Sequence, residues 1–509
     1  MADSKREVER KYEATPGTRL PDLTRAAGVA AVVHRGVTEL DAVYHDTQGF
    51  ALAAGSLTLR RRTGGGDAGW HLKFPVSADV RDEIRAPLSD GLPAELGGLV
   101  RSRVRHADVV PVVRILSSRD VHHLLDEEGG LLAELSVDEV LAERLTEEGR
   151  GTTAAWTELE VELADDVDPA VLDAVERRLR KAGVQPAASP SKLARALAET
   201  APGKRREPPE PAGPPRTAGD HVLAYVRRQT DALVRLDPAV RRDLPDSVHR
   251  MRVATRRLRS AFRTYRPVLD RTVTDPLRDE LKWLAGELGA GRDQEVLDAR
   301  LRSGVAGLPD TLVLGPVRAR LDRSTVAADA GARHRVVDAL DSERYLDLLD
   351  ALDALIGDPP LRRPAAKDPG DALPRAVLGD YARLAARVGH ALDLPPGPER
   401  DVAMHEARKA TKRVRYAADA ARPALGRPAK KFSRRMKSVQ TVLGDHQDSV
   451  MAREALRALA VQAHGAGESA FTWGLLYGRE EAAAQAREGE LPEVWARASR
   501  PRLRAALEG

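Results

Sequence analysis

Near the amino terminus Glu7, Glu9, Lys11 and Glu13 alternate with Val8, Arg10 and Tyr12. An extended chain therefore sets three carboxylates and an ammonium on one face. Glu158, Glu160 and Glu162 repeat the pattern around Leu159 and Val161. Two other runs carry the opposite charge. Arg60 and Arg62 share a face opposite Leu57 and Leu59, and His71 and Lys73 share one opposite Trp70, Leu72 and Phe74. Clustered carboxylates suit hard divalent cations such as Mg²⁺ or Mn²⁺, while Arg and Lys suit phosphate oxygens. Each face alone could be the wet side of an ordinary antiparallel strand. Acidic and basic faces turned toward one another across a polar lumen would instead hold a metal–oligophosphate complex.

The elements that must carry these faces are strands. Before residue 201, short apolar/polar alternations are separated by Gly- and Asp-containing turns, which predicts a strand-rich domain over residues 1–200. Residues 201–219 contain six prolines among nineteen residues and read as a semi-rigid spacer. Residues 220–509 are rich in Ala, Leu and Arg with helical periodicity, which predicts an all-α domain. A loop-like patch at residues 357–375 divides this half into repeats of about 220–356 and 376–509. The segment beginning His249-Arg250-Met251-Arg252 aligns without gaps to the one beginning His405-Glu406-Ala407-Arg408. One residue out of that register, Lys282 matches Lys437, Leu288-Gly289 matches Leu443-Gly444, and Asp293 matches Asp448.

These repeats carry basic stripes. At about 100° per residue, His249, Arg252, Arg256 and Arg259 fall in one sector, with Met251, Ala254, Leu258 and Phe262 opposite. From 249 to 266 there are seven arginines and no acid. His405, Arg408, Lys412 and Arg415 form the second stripe, and Lys430, Arg434 and Lys437 share a face of a third basic run. Lys282, the first-copy counterpart of Lys437, has Asp275, Asp279 and Glu280 nearby. Charged helix faces are commonly just solvated, but surface helices ordinarily mix signs for i,i+4 pairing. Stripes without acids imply a polyanionic ligand. Aromatics make up only 4% of the chain, too few for base stacking, and no helix-turn-helix or zinc signature stands out, so nucleic acid is disfavoured. The Ala-rich packing sides fit helix contacts better than a membrane surface. A flexible phosphate polymer read through charge fits best.

The amino-terminal half resembles the CYTH domain, the triphosphate tunnel enzymes. Glu7-x-Glu9-x-Lys11 matches the family's ExExK signature, supported by Tyr44-His-Asp-Thr47, Leu59-Arg60-x-Arg62, Leu72-Lys73, Arg114, Glu158-x-Glu160 and Ser191-Lys192. The resemblance implies an eight-stranded antiparallel tunnel barrel that binds a linear triphosphate. By that resemblance Glu7, Glu9, Glu158 and Glu160 hold the metal, joined by Asp138 at the end of a Leu131–Val137 strand. Lys11, Arg60, Arg62, Lys73, Arg114 and Lys192 grip phosphates, and Glu162 shares the acidic face. Glu7, Glu9, Lys11, Glu158 and Glu160 form the implied catalytic set. The helical half, about residues 217–509, resembles the CHAD domain through its paired His-x-x-Arg-x-x-x-[Arg/Lys]-Arg segments, Gly-Arg-Asp293 and Gly-Asp-His-Gln-Asp448. This implies two four-helix bundles and a basic surface for inorganic polyphosphate, with His249, Arg252, Arg256, Arg259, Lys282, His405, Arg408, Lys412, Arg415, Arg434 and Lys437 as candidates.

The expected fold is thus multidomain α+β. Its 509 residues are enough for two to four domains, and the charges nearly balance, 81 Lys+Arg against 77 Asp+Glu. With no cysteine, disulfide scaffolds, Cys-ligated metals and thiol nucleophiles are excluded. The charged amino terminus lacks a signal-peptide core and no apolar run is long enough to span a bilayer, so a cytoplasmic protein is expected, with polyphosphate granules as a possible address. The expected activity is Mg²⁺- or Mn²⁺-dependent hydrolysis of inorganic triphosphate. Thiamine triphosphate hydrolysis, cyclic AMP formation and a non-catalytic granule binder are the alternatives. Oligomeric state is left open.

Overall fold

Alternation of polarity along the amino-terminal strands requires two different surroundings, and the fold supplies both. The strands are β1 (Asp3–Ala14), β2 (Ala31–Asp46), β3 (Thr58–Thr63), β4 (Gly69–Pro75), β5 (Val80–Ala86), β6 (Val110–Leu125), β7 (Leu131–Thr146) and β8 (Gly149–Leu163). In this computed structural model they close into an antiparallel barrel in the order β1-β5-β4-β3-β2-β6-β7-β8. Closure leaves no edge strand. The backbone is described for residues 3–146, 149–201 and 213–508. Most of the proline-rich spacer, residues 202–212, therefore lies outside the described residues.

The apolar positions of the strands point outward, under helices. Leu59, Leu72 and Ile84 pack with Leu96 and Val100 of α2 (Ala94–Val104), next to the short α1 (Ala51–Ala54). Leu159 and Val161 pack with Leu172, Val175 and Leu179 of α3 (Ala170–Lys181). The exceptions are Val113, Ala142 and Trp156, which alternate onto the inward faces that carry Arg119, Asp138 and Glu158 and pack with Leu193 and Ala196 of α4 (Lys192–Glu199). The polar positions face the lumen. Asp46, from the Tyr44–Thr47 segment, serves the scaffold: its carboxylate accepts from the backbone N–H groups of Thr47, Leu52 and Ala53 at 2.7–2.8 Å, fixing the start of α1.

The chain forms two compact units, Met1–Glu210 and Pro211–Gly509. The second is all-α: α5 (Ala218–Arg241), α6 (Ser247–Thr264), α7 (Arg271–Glu287), α8 (Ala290–Ala306), α9 (Val317–Asp341), α10 (Glu343–Gly357), α11 (Pro369–Asp393), α12 (Pro398–Gly465), α13 (Phe471–Ala498) and α14 (Pro501–Glu508). The repeat motifs lie on α6 and on the first part of α12. Helix α12 is kinked at Gly426 (φ 61°, ψ −131°), between Pro423 and Pro428. Helices of both repeats share one apolar core, in which Met251, Leu258 and Phe262 meet Ala407, Val414 and Phe432. No helix among the described residues is long and apolar enough to cross a membrane.

Candidate functional site

The barrel encloses a cavity of about 450 Å³ lined by Glu7, Glu9, Lys11, Arg60, Arg62, Lys73, Glu160 and Lys192. Eight sequence-predicted residues thus meet in one lumen. They come from β1, β3, β4, β8 and the first turn of α4, where Ser191 caps the helix by accepting from the Ala194 N–H at 3.1 Å. β1 and β8 pair in the register Glu9↔Glu162 and Lys11↔Glu160, so that two acids face each other at the first position and base faces acid at the second.

Two acidic groups form. Asp138, Glu158 and Glu160 each offer an oxygen within 4.8 Å of the others, and all three are buried. Lys192 Nζ lies 2.7 Å from Asp138, 2.7 Å from Glu158 and 2.8 Å from Glu160. Arg119 grips Asp138 through two bonds of 2.8 and 2.7 Å and reaches Glu160 at 2.7 Å. Trp156 Nε1 donates to Glu158 at 2.6 Å. Burial works against the Asp138 and Glu160 carboxylates, yet their cationic neighbours hold both below the ordinary range. The second group is on β1. Glu7 accepts from Lys73 at 2.5 Å with Arg85 3.7 Å away; Glu9 accepts from Lys11 at 3.3 Å and has Arg81 at 3.4 Å. Burial, only partly offset by Lys73, pushes Glu7 up to about 7. For Glu9 burial is outweighed by Lys11, Lys73 and Arg81, which hold its carboxyl down at about 2.

The basic side is equally specific. Arg60 lies 3.5 Å from the Tyr44 hydroxyl and 3.8 Å from Glu83, and Arg62 pairs with Asp67. The Nε–H groups of Arg60 and Arg62 are buried and lack an acceptor among the described residues, an unmet demand that an anionic oxygen could answer. Burial and the Arg60 and Arg119 charges lower Arg62 to about 9. The hard oxygen donors of the acidic groups fit Mg²⁺ or Mn²⁺ and offer neither sulfur nor, within the Asp138 cluster, imidazole.

Some placements differ from the expectation. Arg114 does not line the cavity: it points outward and pairs with Asp41 at 3.0 and 2.6 Å. Arg119, an odd number of positions further along β6, faces the lumen in its place. Asp138 sits in the middle of β7 rather than at a strand end, because β7 runs on to Thr146. Among the lining residues the sequence reading passed over Arg81 and Arg85. It also passed over Glu83, fully buried, which accepts from His71 at 2.9 Å and lies 3.7 Å from Lys73. The signal was present as the alternation Arg81-x-Glu83-x-Arg85, whose mixed signs resemble a solvated face. His71 is scaffold: burial lowers it to about 4, and its two ring nitrogens lie 2.9 Å from the Glu83 carboxylate and 2.9 Å from the Asp67 carbonyl, two acceptors of which a neutral ring serves one at a time.

In the helical unit, α6 and α12 are in contact. The Tyr265 hydroxyl donates to the Ala417 carbonyl at 2.8 Å, and the Arg257 guanidinium lies 5.7 Å from the Tyr416 ring centroid. Burial and the charges of Arg408, Arg256 and Arg252 lower Lys412 to about 7, so the two stripes converge around it. The buried Nε–H groups of Arg259, Arg408 and Arg415 find no acceptor among the described residues. His405 hydrogen-bonds Gln447, and Asp448 stands 3.7 Å from Arg408. Lys282, Arg434 and Lys437 are exposed on α7 and α12, and His249 is half-buried on α6. The acids of α7 are engaged elsewhere, Asp275 with Arg271 and Arg278 and Glu280 with Arg344. Gly289 and Gly444, equivalent in the repeat, occupy equivalent surroundings: a Cβ there would meet Arg252 Nη2 at 3.4 Å and Arg408 Nε at 3.8 Å.

Comparison with known proteins gives matches to both halves. The family model of the CYTH domain matches residues 5–197 and that of the CHAD domain residues 224–457. Two uncharacterised proteins of Mycobacterium tuberculosis, from strains CDC 1551 / Oshkosh and ATCC 25618 / H37Rv, are each 40% identical over 491 residues, 93% of this chain and 92% of theirs. Among solved structures, PptA from Streptomyces chartreusis is 23% identical over 55% of this chain and 99% of its own, with a TM-score of 0.47. HpAC1 from Hippeastrum, a proposed adenylyl cyclase described as having a dominant triphosphatase activity, is 17% identical over 38% of this chain and 96% of its own, with a TM-score of 0.25.

Proposed function

The chain belongs to the CYTH–CHAD family, and from that premise we propose that its barrel hydrolyses inorganic triphosphate with Mg²⁺ or Mn²⁺, while its helical half binds inorganic polyphosphate. CYTH proteins are metal-dependent phosphoryl-transfer enzymes, triphosphatases or cyclases, and CHAD domains bind polyphosphate. The observation that carries the finer reading is the cavity wall. Among the described residues it sets the carboxylates of Glu7, Glu9 and Glu160 beside buried arginine donors that lack an acceptor, and its sole aromatic group is Tyr44. A nucleobase or thiamine ring would want aromatic stacking contacts. A bare phosphate chain needs only charge and hydrogen-bond donors, which favours the inorganic substrate over thiamine triphosphate and ATP.

Asp138, Glu158 and Glu160 would hold the cation, with Glu7 and Glu9 completing the acidic side. When bound, a divalent cation supplies polarisation of the phosphoryl oxygens and a water of lowered pKa. Arg60, Arg62, Lys73 and Arg119 bind and orient the phosphates and offset the charge that develops on the departing pyrophosphate. Burial within a closed barrel strengthens each of these interactions by excluding bulk water. On the helical unit, Arg252, Arg256, Arg408 and Lys412 meet a polyanion through charge. A cytoplasmic protein drawn to polyphosphate granules is the location this reading implies.

The test is to incubate the full chain with tripolyphosphate, ATP and thiamine triphosphate under Mg²⁺ or Mn²⁺. Phosphate release fastest from tripolyphosphate, and abolished in E9Q and E160Q, supports the reading. Cyclic AMP from ATP would replace it with a cyclase. Polyphosphate binding without turnover of any of the three would replace it with a granule binder.

A further inference from the structure

On the outer wall of the barrel, β2 and β6 bring two imidazoles and a carboxylate together. His34 pairs across the ladder with His122, and Asp120 lies on the same face two residues before His122. A bulge makes this possible. The ladder steps from His34↔His122 to Gly36↔Val121, leaving Arg35 as the extra residue, and Gly36 has a φ of 103° that favours glycine. Without it, the alternation that turns Thr38 and Leu40 into the cavity would turn His34 inward as well. His34 Nε2 is 2.6 Å and His122 Nε2 3.3 Å from the Asp120 carboxylate, and the rings are 5.1 Å apart. One donor atom from each residue lies within 4.8 Å of the other two.

Two imidazoles and one carboxylate suit borderline first-row cations and suit Mg²⁺ poorly. Metal–donor lengths near 2.1 Å set tetrahedral ligands about 3.4 Å apart. The His122–Asp120 separation already has that spread. The His34 side chain is 57% exposed and can swing through the roughly 0.8 Å by which its 2.6 Å approach to Asp120 falls short of that spread. A comparable group in the helical unit, Asp401, His446 and Glu488, is already engaged: Arg453 holds Asp401 at 2.9 Å and Arg400 holds Glu488 at 3.1 Å. The Asp138 group belongs to the lumen.

We propose that His34, Asp120 and His122 form a surface site for a borderline divalent cation, Zn²⁺ above all, which clasps the start of β2 to the end of β6. Three protein ligands leave a coordination position for water. The site stands apart from the phosphate chemistry, so neither reading depends on the other.

The full chain, stripped of metal with a chelator, is titrated with Zn²⁺ by calorimetry and with Co²⁺ by visible absorption, in saturating Mg²⁺ to occupy the lumen. The wild type is expected to bind one equivalent that H34N and H122N bind more weakly. Altering mere outer-sphere partners costs about 10–100-fold, so loss of a direct ligand should cost at least about tenfold. The Co²⁺ d–d bands should fall with it. Should H122N fail to fold, H34N, at the more exposed position, decides alone. Equal Zn²⁺ stoichiometry and affinity in wild type and H34N, or displacement of Zn²⁺ by Mg²⁺, overturns the site.

Discussion

If Asp138, Glu158 and Glu160 hold the divalent cation, Lys192 competes with it for the same three carboxylates. In K192M, Asp138, Glu158 and Glu160 keep Arg119 and the Trp156 N–H but lose the buried ammonium that bonds all three. Removing one partner of a buried ion pair costs about 3–5 kcal/mol. The barrel of K192M should therefore melt well below the wild type in chelator. Mn²⁺ should raise it more than it raises the wild type, by mass action on a site the lysine no longer fills. Equal Mn²⁺-induced shifts in thermal unfolding would remove this competition. Glu7 makes a second test possible. Its carboxyl is raised by burial to about 7, so below its ordinary value both folded and unfolded chains are protonated and it contributes nothing. As pH rises from about 4.5 to about 7, the unfolded chain releases the proton while the folded chain retains it. Stability therefore falls through that window, by up to about 3 kcal/mol. E7Q lacks this slope. Amide exchange in β1 should show the E7Q-minus-wild-type protection growing between about pH 5 and pH 8, and parallel profiles would refute the assignment.

Helix continuity separates the two repeats. In the first, α7 ends and α8 begins around Leu288-Gly289; in the second, α12 runs unbroken through Leu443-Gly444. Outside its own helix a Cβ at Gly444 meets Arg408 Nε at an ordinary 3.8 Å, whereas one at Gly289, at the junction of two helices, is crowded at 3.0 Å by the Ala285 and Gly286 carbonyls and at 3.4 Å by Arg252 Nη2. Gly444→Ala should stabilise the helical unit by up to about 1 kcal/mol, and Gly289→Ala should destabilise it. Thermal unfolding of the two variants checks the opposite signs. The repeat was legible because its side chains recur; the break was not, because a Leu-Gly pair serves both conformations. Strand polarity was legible wherever one sign dominated a face, as in β1 and β8, since period two leaves no choice about which residues share a side. It was lost where signs mix, as in Arg81-x-Glu83-x-Arg85. Arg114 was placed inward because no local feature distinguishes it from Arg119; only the phase of β6 within the barrel does. The bulge at Arg35, which turns His34 outward, has no sequence signature beyond the glycine that follows.

At the scale of the whole chain, two phosphate-directed units are joined through a stretch with six prolines among residues 201–219. If the helical unit holds a long polyphosphate by charge, its affinity must fall steeply with added salt, with a log–log slope of roughly 0.7–0.9 per neutralised phosphate by analogy with nucleic acids. Arg259, Arg408 and Arg415 each present a buried Nε–H without an acceptor among the described residues, so R259A/R408A/R415A should flatten that slope by about 2–3. The same variant tests whether binding feeds catalysis. A chain held on one unit offers its ends to the other at an effective concentration set by the tether, which lowers apparent KM without touching kcat. Tripolyphosphate is short enough to be consumed in one site, so its KM and kcat should match those of the wild type. With long-chain polyphosphate the variant's KM should rise by about tenfold or more while kcat holds. A shared rise with tripolyphosphate would place the defect in the barrel. Equal KM values for long chains in both proteins would mean that the units act independently.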